Sequence, residues 1–192
     1  MVWELDKIKD YVESNMSKKR FKHVLGVVET ARMLAMRHGV NEEDAMLAAL
    51  VHDVVKEQDF EEAKQILVEK GETLYLEHSP KVWHAPLGAF VANELFGIVN
   101  EDILNAVRYH TTGKAEMSEL GKVIFVADYT EPNRKHVGCI EVREFWGDLD
   151  QAVYEILKRK IEKTTAGAGL MHPDTLEAYA YYRKLEVNEA KA

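Results

Sequence analysis

A chain of 192 residues with 46% hydrophobic content and no low-complexity tract is long enough to bury a substantial core, and it reads as one domain over 1–192. No apolar run reaches the length of a membrane span, the first residues lack a signal-peptide pattern, and the single cysteine, Cys139, excludes an internal disulfide and suits a reducing cytoplasm. The formal net charge of −8 argues against nucleic-acid backbone binding, which needs a basic face, but leaves room for a small anion held at a local positive site.

Leu5, Ile8, Tyr11 and Val12 recur at helical spacing and predict a first helix. Ser17 is placed to cap a second, whose stripe of Phe21, Val24, Leu25, Val28, Ala31, Leu34 and Ala35 ends at Gly39. Asn41, followed by Glu42, Glu43 and Asp44, opens a third that runs into His52-Asp53. Asp59 and Glu62 make a capping-box-like pair before a fourth, which stops near Gly71. Residues 72–82 read as irregular, with Ser79-Pro80 as a breaker. Helices follow from about Pro86 to Phe96, from Asn100 to Tyr109-His110, and from Ser118 through Asp128, with Thr111-Thr112-Gly113 as a turn. Pro132 and Gly138 mark a loop, Leu149 to Lys163 is periodic, and Thr165 to Gly169 is a turn. Asp174 caps a last helix reaching about Val187, after which a polar tail is expected to fray. With no alternating or Val/Ile-rich strand, the pattern predicts an all-α domain of eight or nine helices and a helical core over about 17–187.

His52-Asp53 ends an Ala- and Leu-rich run, where neither group is cheap to bury unpaired. His23 upstream, and His84, His110 and Asp128 downstream, stand in or beside apolar helical segments. Singly, each is more often a structural histidine or a solvated cap; together they point to one site. His23, His52, Asp53 and Asp128 form a two-histidine, two-carboxylate set suited to iron, manganese or zinc more than to magnesium. The absence of cysteine ligands argues against structural zinc, and four ligands on an ion that takes six leave positions for water and substrate. Arg20 shares a helix face with His23, and Lys56 follows Asp53 by three, so each is placed to meet an oxygen on the metal. Arg134, six residues past Asp128 and across Pro132, is expected on a loop leading away from the site. His84 and His110 read as phosphate binders, as acids for a leaving group, or as ligands of a second metal, and Thr111-Thr112-Gly113 offers further phosphate contacts. His38, His78 and His136 read as surface residues.

The stretches that hold these residues are Arg20-Phe21-Lys22-His23, His52-Asp53-Val54-Val55-Lys56, His84-Ala85-Pro86-Leu87-Gly88-Ala89, His110-Thr111-Thr112-Gly113, Ala127-Asp128-Tyr129-Thr130-Glu131-Pro132-Asn133-Arg134 and Leu170-Met171-His172-Pro173-Asp174-Thr175. Together they resemble the HD superfamily of metal-dependent phosphohydrolases, and within it the YqeK branch, the symmetrical bis(5′-nucleosyl)-tetraphosphatases. The resemblance implies an all-helical HD fold and an iron ion held by His23, His52, Asp53 and Asp128, with a second ion as the alternative count. It implies nucleotide contacts from Arg20, Asp53, Val54, Val55, Lys56, His84, His110, Asp128, Tyr129 and Arg134, and from Leu170, Met171, His172, Pro173, Asp174 and Thr175. Tyr129 and the 170–175 stretch rest on the resemblance alone.

The expected reaction is hydrolysis of a dinucleoside polyphosphate, diadenosine tetraphosphate, to two ADP by a metal-activated water. Asp53 is the ligand placed to bridge two metals. Lys56, with Arg20 and Arg134, offsets phosphoryl charge, and a protonated His84 or His110 donates to the leaving oxygen. The expected setting is cytoplasmic, with no nucleic acid or membrane partner and a homodimer as the assembly. The alternatives are another HD-type phosphohydrolase, acting on nucleoside monophosphates, cyclic nucleotides or other nucleoside polyphosphates, and a non-catalytic nucleotide sensor.

Overall fold

Ten α-helices and no strand make up the described residues, 3–167 and 169–189, of the computed structural model. α1 (Leu5–Ser14) buries Ile8 and Val12, so the core begins ahead of residue 17. α2 (Lys18–His38) is capped by the Ser17 hydroxyl, which accepts from the Arg20 N–H, and it stops at Gly39, where φ is 68°. α3 (Glu42–Val51) starts on an Asn41 cap with three acids in its first turn, and α4 (Phe60–Glu69) starts on Asp59. The charges complement the helix dipole and the caps satisfy N–H groups that no helix can pair internally.

Residues 72–82 contain two short 3-10 helices, Thr73–Glu77 and Pro80–Val82. They carry Tyr75 and deliver Trp83 into a second small core with Ala63, Leu67 and Leu87. α5 (His84–Glu94) begins two residues before the predicted start, which makes His84 its first residue. α6 (Glu101–Tyr109) ends at the expected histidine, and Gly113, at φ 68°, turns the chain where Leu157 and Phe125 lie close to its Cα.

α7 (Glu119–Thr130) is the central helix. Leu120 to Ala127 are all buried, and it packs against α2, α3, α6 and α9. α8 (Val137–Arg143) occupies what reads as loop in the sequence. α9 (Leu149–Ala166) extends into the expected Thr165–Gly169 turn. α10 (Pro173–Glu189) lays Ala178 and Tyr182 on the core. Asp174 lies within its first turn rather than capping it; the Asp174 N–H donates to His172 Nδ1 at 3.3 Å. Of the tail expected to fray, Asn188 and Glu189 are helical and 190–192 lie outside the described residues. Among the described residues no helix is long and apolar enough to cross a membrane.

Candidate metal centre

Helix ends converge on one point beneath α2 and α7. His52 is the C-cap of α3, with Asp53 in the turn that follows; His110 is the C-cap of α6; His84 opens α5. α2 contributes His23 and Arg20, and α7 contributes Asp128. The two C-cap histidines share one local device. Each Nδ1 donates to the carbonyl three residues back, His52 to Ala49 at 2.6 Å and His110 to Val107 at 2.7 Å, using acceptors that a helix end leaves free. That fixes the tautomer, so each Nε2 presents a lone pair inward. His23 is held likewise, by Nδ1 donating to Glu131 Oε1 at 3.2 Å.

The inward nitrogens face carboxylates. His23 Nε2 is 3.1 Å from Asp128 Oδ1 and 3.7 Å from Asp53 Oδ2, and His52 Nε2 is 3.4 Å from Asp53 Oδ2 and 3.9 Å from Asp128 Oδ1. Both Nε2 atoms are buried and lack a hydrogen-bond partner among the described residues. Buried nitrogens left unpaired are costly, and two of them aimed among two carboxylates are a donor set that fits a divalent ion. Asp53 shows a different oxygen to each side: Oδ1 is 3.0 Å from His84 Nε2 and 3.6 Å from His110 Nε2. The atoms of His23, His52 and Asp53 lie within 4.8 Å of one another, as do those of Asp53, His84 and His110.

The charges follow from this packing. Burial pushes the Asp53 carboxyl up, but the histidines around it, His52 first and then His110 and His84, hold it well below the usual range. Burial also pushes Asp128 up, and Arg134, with His23 and His52, holds it well below. His52 is pulled down by burial yet raised overall by Asp53 and Asp128. His84 is driven down to about 4 and His110 is lowered, in both cases chiefly by burial. Both are neutral at pH 7, contrary to the expectation of a protonated acid. The Lys56 ammonium donates to His84 Nδ1 at 2.9 Å and to the Lys81 carbonyl at 3.2 Å, which leaves the His84 proton on Nε2.

Arg20 pairs with Asp53 at 2.8 Å and Arg134 with Asp128 at 2.7 Å. Arg134 is on a loop as expected, but its guanidinium turns back to the cluster instead of leading away. A cleft of about 740 Å³ opens here, lined by Lys19, Arg20, Lys22, Arg134 and Lys135 beside Glu57 and Glu131. It is the local positive site that an anion needs on an acidic chain. Val54 is buried in the core, so it can offer a ligand only its backbone, while the half-buried Val55 lines a second cavity with Lys56 and His84.

The 170–175 stretch meets the His110 side indirectly. Thr175 Oγ1 donates to the Thr112 carbonyl at 2.8 Å, and the buried His172 packs its ring on Tyr75 and His78, while Leu170 is exposed and Met171 and Pro173 are half-buried. Tyr129 lies past Asp128 with its ring against His136. Of the three histidines read as surface, His136 is exposed, His38 is half-buried with Nε2 2.8 Å from the Trp146 carbonyl oxygen, and His78 is buried against His172.

Sequence reasoning gave no role to Glu131, Asn133 or Arg143. Glu131 is buried and held by the Asn133 N–H at 2.6 Å and side-chain amide at 2.9 Å. The signal was its position: an acid just after a helix C-terminus opposes the dipole and needs another reason to be there.

A family profile for the HD domain matches residues 20–133. The chain is 41% identical to a bis(5′-nucleosyl)-tetraphosphatase (symmetrical) of Bacillus subtilis strain 168, over 88% of this chain and 91% of that one. It is 33% identical to the protein of the same description from Staphylococcus aureus strain NCTC 8325, over 93% and 94%. Among solved structures, an HD superfamily hydrolase from Clostridium acetobutylicum described as involved in NAD metabolism superposes with a TM-score of 0.91 and 36% identity, covering 96% of this chain and 99% of that one.

Proposed function

The chain belongs to the HD-domain family, in its group of symmetrical bis(5′-nucleosyl)-tetraphosphatases, and from that premise we infer that it is a metal-dependent hydrolase splitting diadenosine tetraphosphate into two ADP. The observation that carries the reading is the pair of buried, unpartnered Nε2 atoms of His23 and His52 facing Asp53 and Asp128, beside the one basic cleft described above. Those four side chains are the proposed ligands of an iron ion, with manganese and zinc as the other candidates; a second ion on Asp53, His84 and His110 would first have to displace the proton that Lys56 keeps on His84 Nε2. When bound, the ion supplies Lewis-acid charge and an acidified water nucleophile.

The chain's own groups supply the rest. Arg20 and Arg134, which pair with the proposed ligands Asp53 and Asp128 and line the same cleft, neutralise phosphoryl oxygens there. Lys56 keeps the His84 proton on Nε2, so His84 is a neutral donor to a phosphate oxygen while His110 Nε2 is an acceptor. An ADP leaving group has a second phosphate pKa near ~6 and departs as an anion at pH 7, so charge neutralisation matters more than proton donation. The backbone of Val54 and Val55, the phenol of Tyr129 and the segment from Leu170 to Thr175 are proposed to contact the nucleotide. The proposed setting is the cytoplasm, and the proposed assembly a homodimer, for which the exposed Leu25, Met33 and Met36 of α2 offer an apolar face.

The test uses protein purified without added metal. Elemental analysis is expected to find near-stoichiometric iron, and chromatography to find ADP as the sole product, lost on chelation. Inorganic phosphate or AMP from the tetraphosphate would redirect the assignment within the family. A protein that stays inactive with iron, manganese and zinc supplied would sink it.

A further inference from the structure

A second opening lies across His84 from the basic cleft. It is a cavity of about 270 Å³ whose lining includes Lys56, Gln58, Phe60, Trp83 and His84. Only one imidazole separates it from the metal cluster: His84 Nε2 is 3.0 Å from Asp53 Oδ1, and on the other edge Nδ1 accepts from Lys56. The wall is aromatic. Phe60 and Trp83 pack at 4.8 Å between centroids and 32°, with Trp83 buried and tied by its indole N–H to the Tyr75 carbonyl while Phe60 is 48% exposed. Gln58 Oε1 is buried without a hydrogen-bond partner among the described residues. A volume just below the usual ~300 Å³ floor of ligand sites suits a flat ring system rather than a whole nucleotide.

We propose that this cavity takes the nucleobase of one ADP half of the dinucleotide, stacked on Phe60 with its edge toward the Gln58 amide. The proposal rests on the reaction inferred above, because a symmetrical cut places one like half on each side of the scissile bond. One half has the basic cleft and the 170–175 side available; the other needs a base site within reach of Lys56 and His84, and this is the aromatic cavity those two residues share. A glutamine amide offers a donor and an acceptor together, the pattern that pairs with the N6 and N7 edge of adenine. Aromatic stacking serves any base.

The experiment compares Phe60→Ala and Phe60→Tyr, at a half-exposed position where folding tolerates change, as metal-loaded enzymes. Phe60→Ala is expected to raise KM for diadenosine tetraphosphate roughly ten-fold with kcat little altered, and Phe60→Tyr, which keeps the ring, to restore it. Inhibition by base-free tripolyphosphate is expected to be unchanged, which separates a lost base contact from a disturbed phosphate site. Calorimetric titration with ADP is expected to count two sites per chain in the unaltered protein and one in Phe60→Ala. An unchanged KM, an equal weakening of tripolyphosphate, or a single ADP site in the unaltered chain overturns the proposal. Failure to release ADP from the dinucleotide strikes the proposed reaction instead, and the ADP count then decides the cavity by itself.

Discussion

Gly26 lies one turn after His23 on α2, and a Cβ there would stand 2.5 Å from Glu131 Oε2 and 2.9 Å from Asn133 Nδ2. The missing methyl is the space in which Glu131 reaches His23. Gly26→Ala is therefore expected to push Glu131 off the His23 Nδ1 and weaken metal retention by roughly 10–100-fold, the usual cost of losing a group that orients a ligand. Ala favours the helix by up to ~1 kcal/mol over Gly, so lost metal with an undiminished melting temperature is the signature. Retained metal in the dialysed variant would show that Glu131 does not orient His23. The proposed ligands stand out in the sequence because His-Asp beside an apolar run is costly without a purpose. Gly26 was not, because its role is set by a contact more than a hundred residues away. His84 carries a second prediction. Burial moves it from 6.5 to about 4. Above 6.5 neither folded nor unfolded chain is protonated there, and below about 4 both are. Between those values the unfolded chain binds more protons, so stability present at neutral pH is lost as pH falls. Melting of the metal-free protein is expected to drop from pH 7 to pH 4, and less so in His84→Gln; identical slopes would refute this.

At the scale of elements, most helix starts were readable because the signal is local. Ser17, Asn41, Asp59, Asn100 and Ser118 each accept from an N–H two or three residues on, and each is an ordinary capping residue. α8 was hidden for the same reason in reverse. Its cap is His136, whose Nδ1 accepts from the Cys139 N–H, and Gly138 within it reads as a loop residue. The early start of α5 was hidden by Pro86, which sits in the first turn rather than ahead of it. α8 matters to the site through Arg143. Its Nε donates to the Thr130 carbonyl at 2.9 Å, and Nη2 donates to those of Glu131 at 2.9 Å and Arg134 at 2.8 Å. One guanidinium thus shapes the loop that delivers Glu131 to His23 and Arg134 to Asp128. Lysine keeps the charge but cannot span three carbonyls. Arg143→Lys is expected to cost about 1–3 kcal/mol of stability and to lower kcat/KM ten-fold or more, measured by melting and by ADP release. Full activity with only a lowered melting temperature would make Arg143 a stabilising residue without influence on the site.

At the scale of the whole molecule, a net charge of −8 must admit a substrate bearing several negative charges. The fold resolves this by segregation: Lys19, Arg20, Lys22, Arg134 and Lys135 are gathered on one cleft from α2 and from the loop after α7. The net charge alone could exclude nucleic acid as an expectation but could not locate this patch, because its members are far apart in sequence and only the packing of α7 on α2 joins them. Such a patch acts at range, and its reach is set by salt, with a Debye length of ~30 Å at 0.01 M and ~3 Å at 1 M. Turnover of diadenosine tetraphosphate at low substrate should therefore fall as salt is raised, through kcat/KM more than through kcat. Lys19, Lys22 and Lys135 are exposed, and none pairs with a proposed metal ligand, so reversing them leaves the cluster intact while inverting the field around it. The triple variant Lys19→Glu, Lys22→Glu, Lys135→Glu is expected to lower kcat/KM at low salt, with a smaller difference from the unaltered enzyme at 1 M and with bound metal unchanged. Parallel salt profiles for the two proteins would mean that the cleft acts only by contact, through Arg20 and Arg134, and that the surrounding lysines do nothing to draw the substrate in.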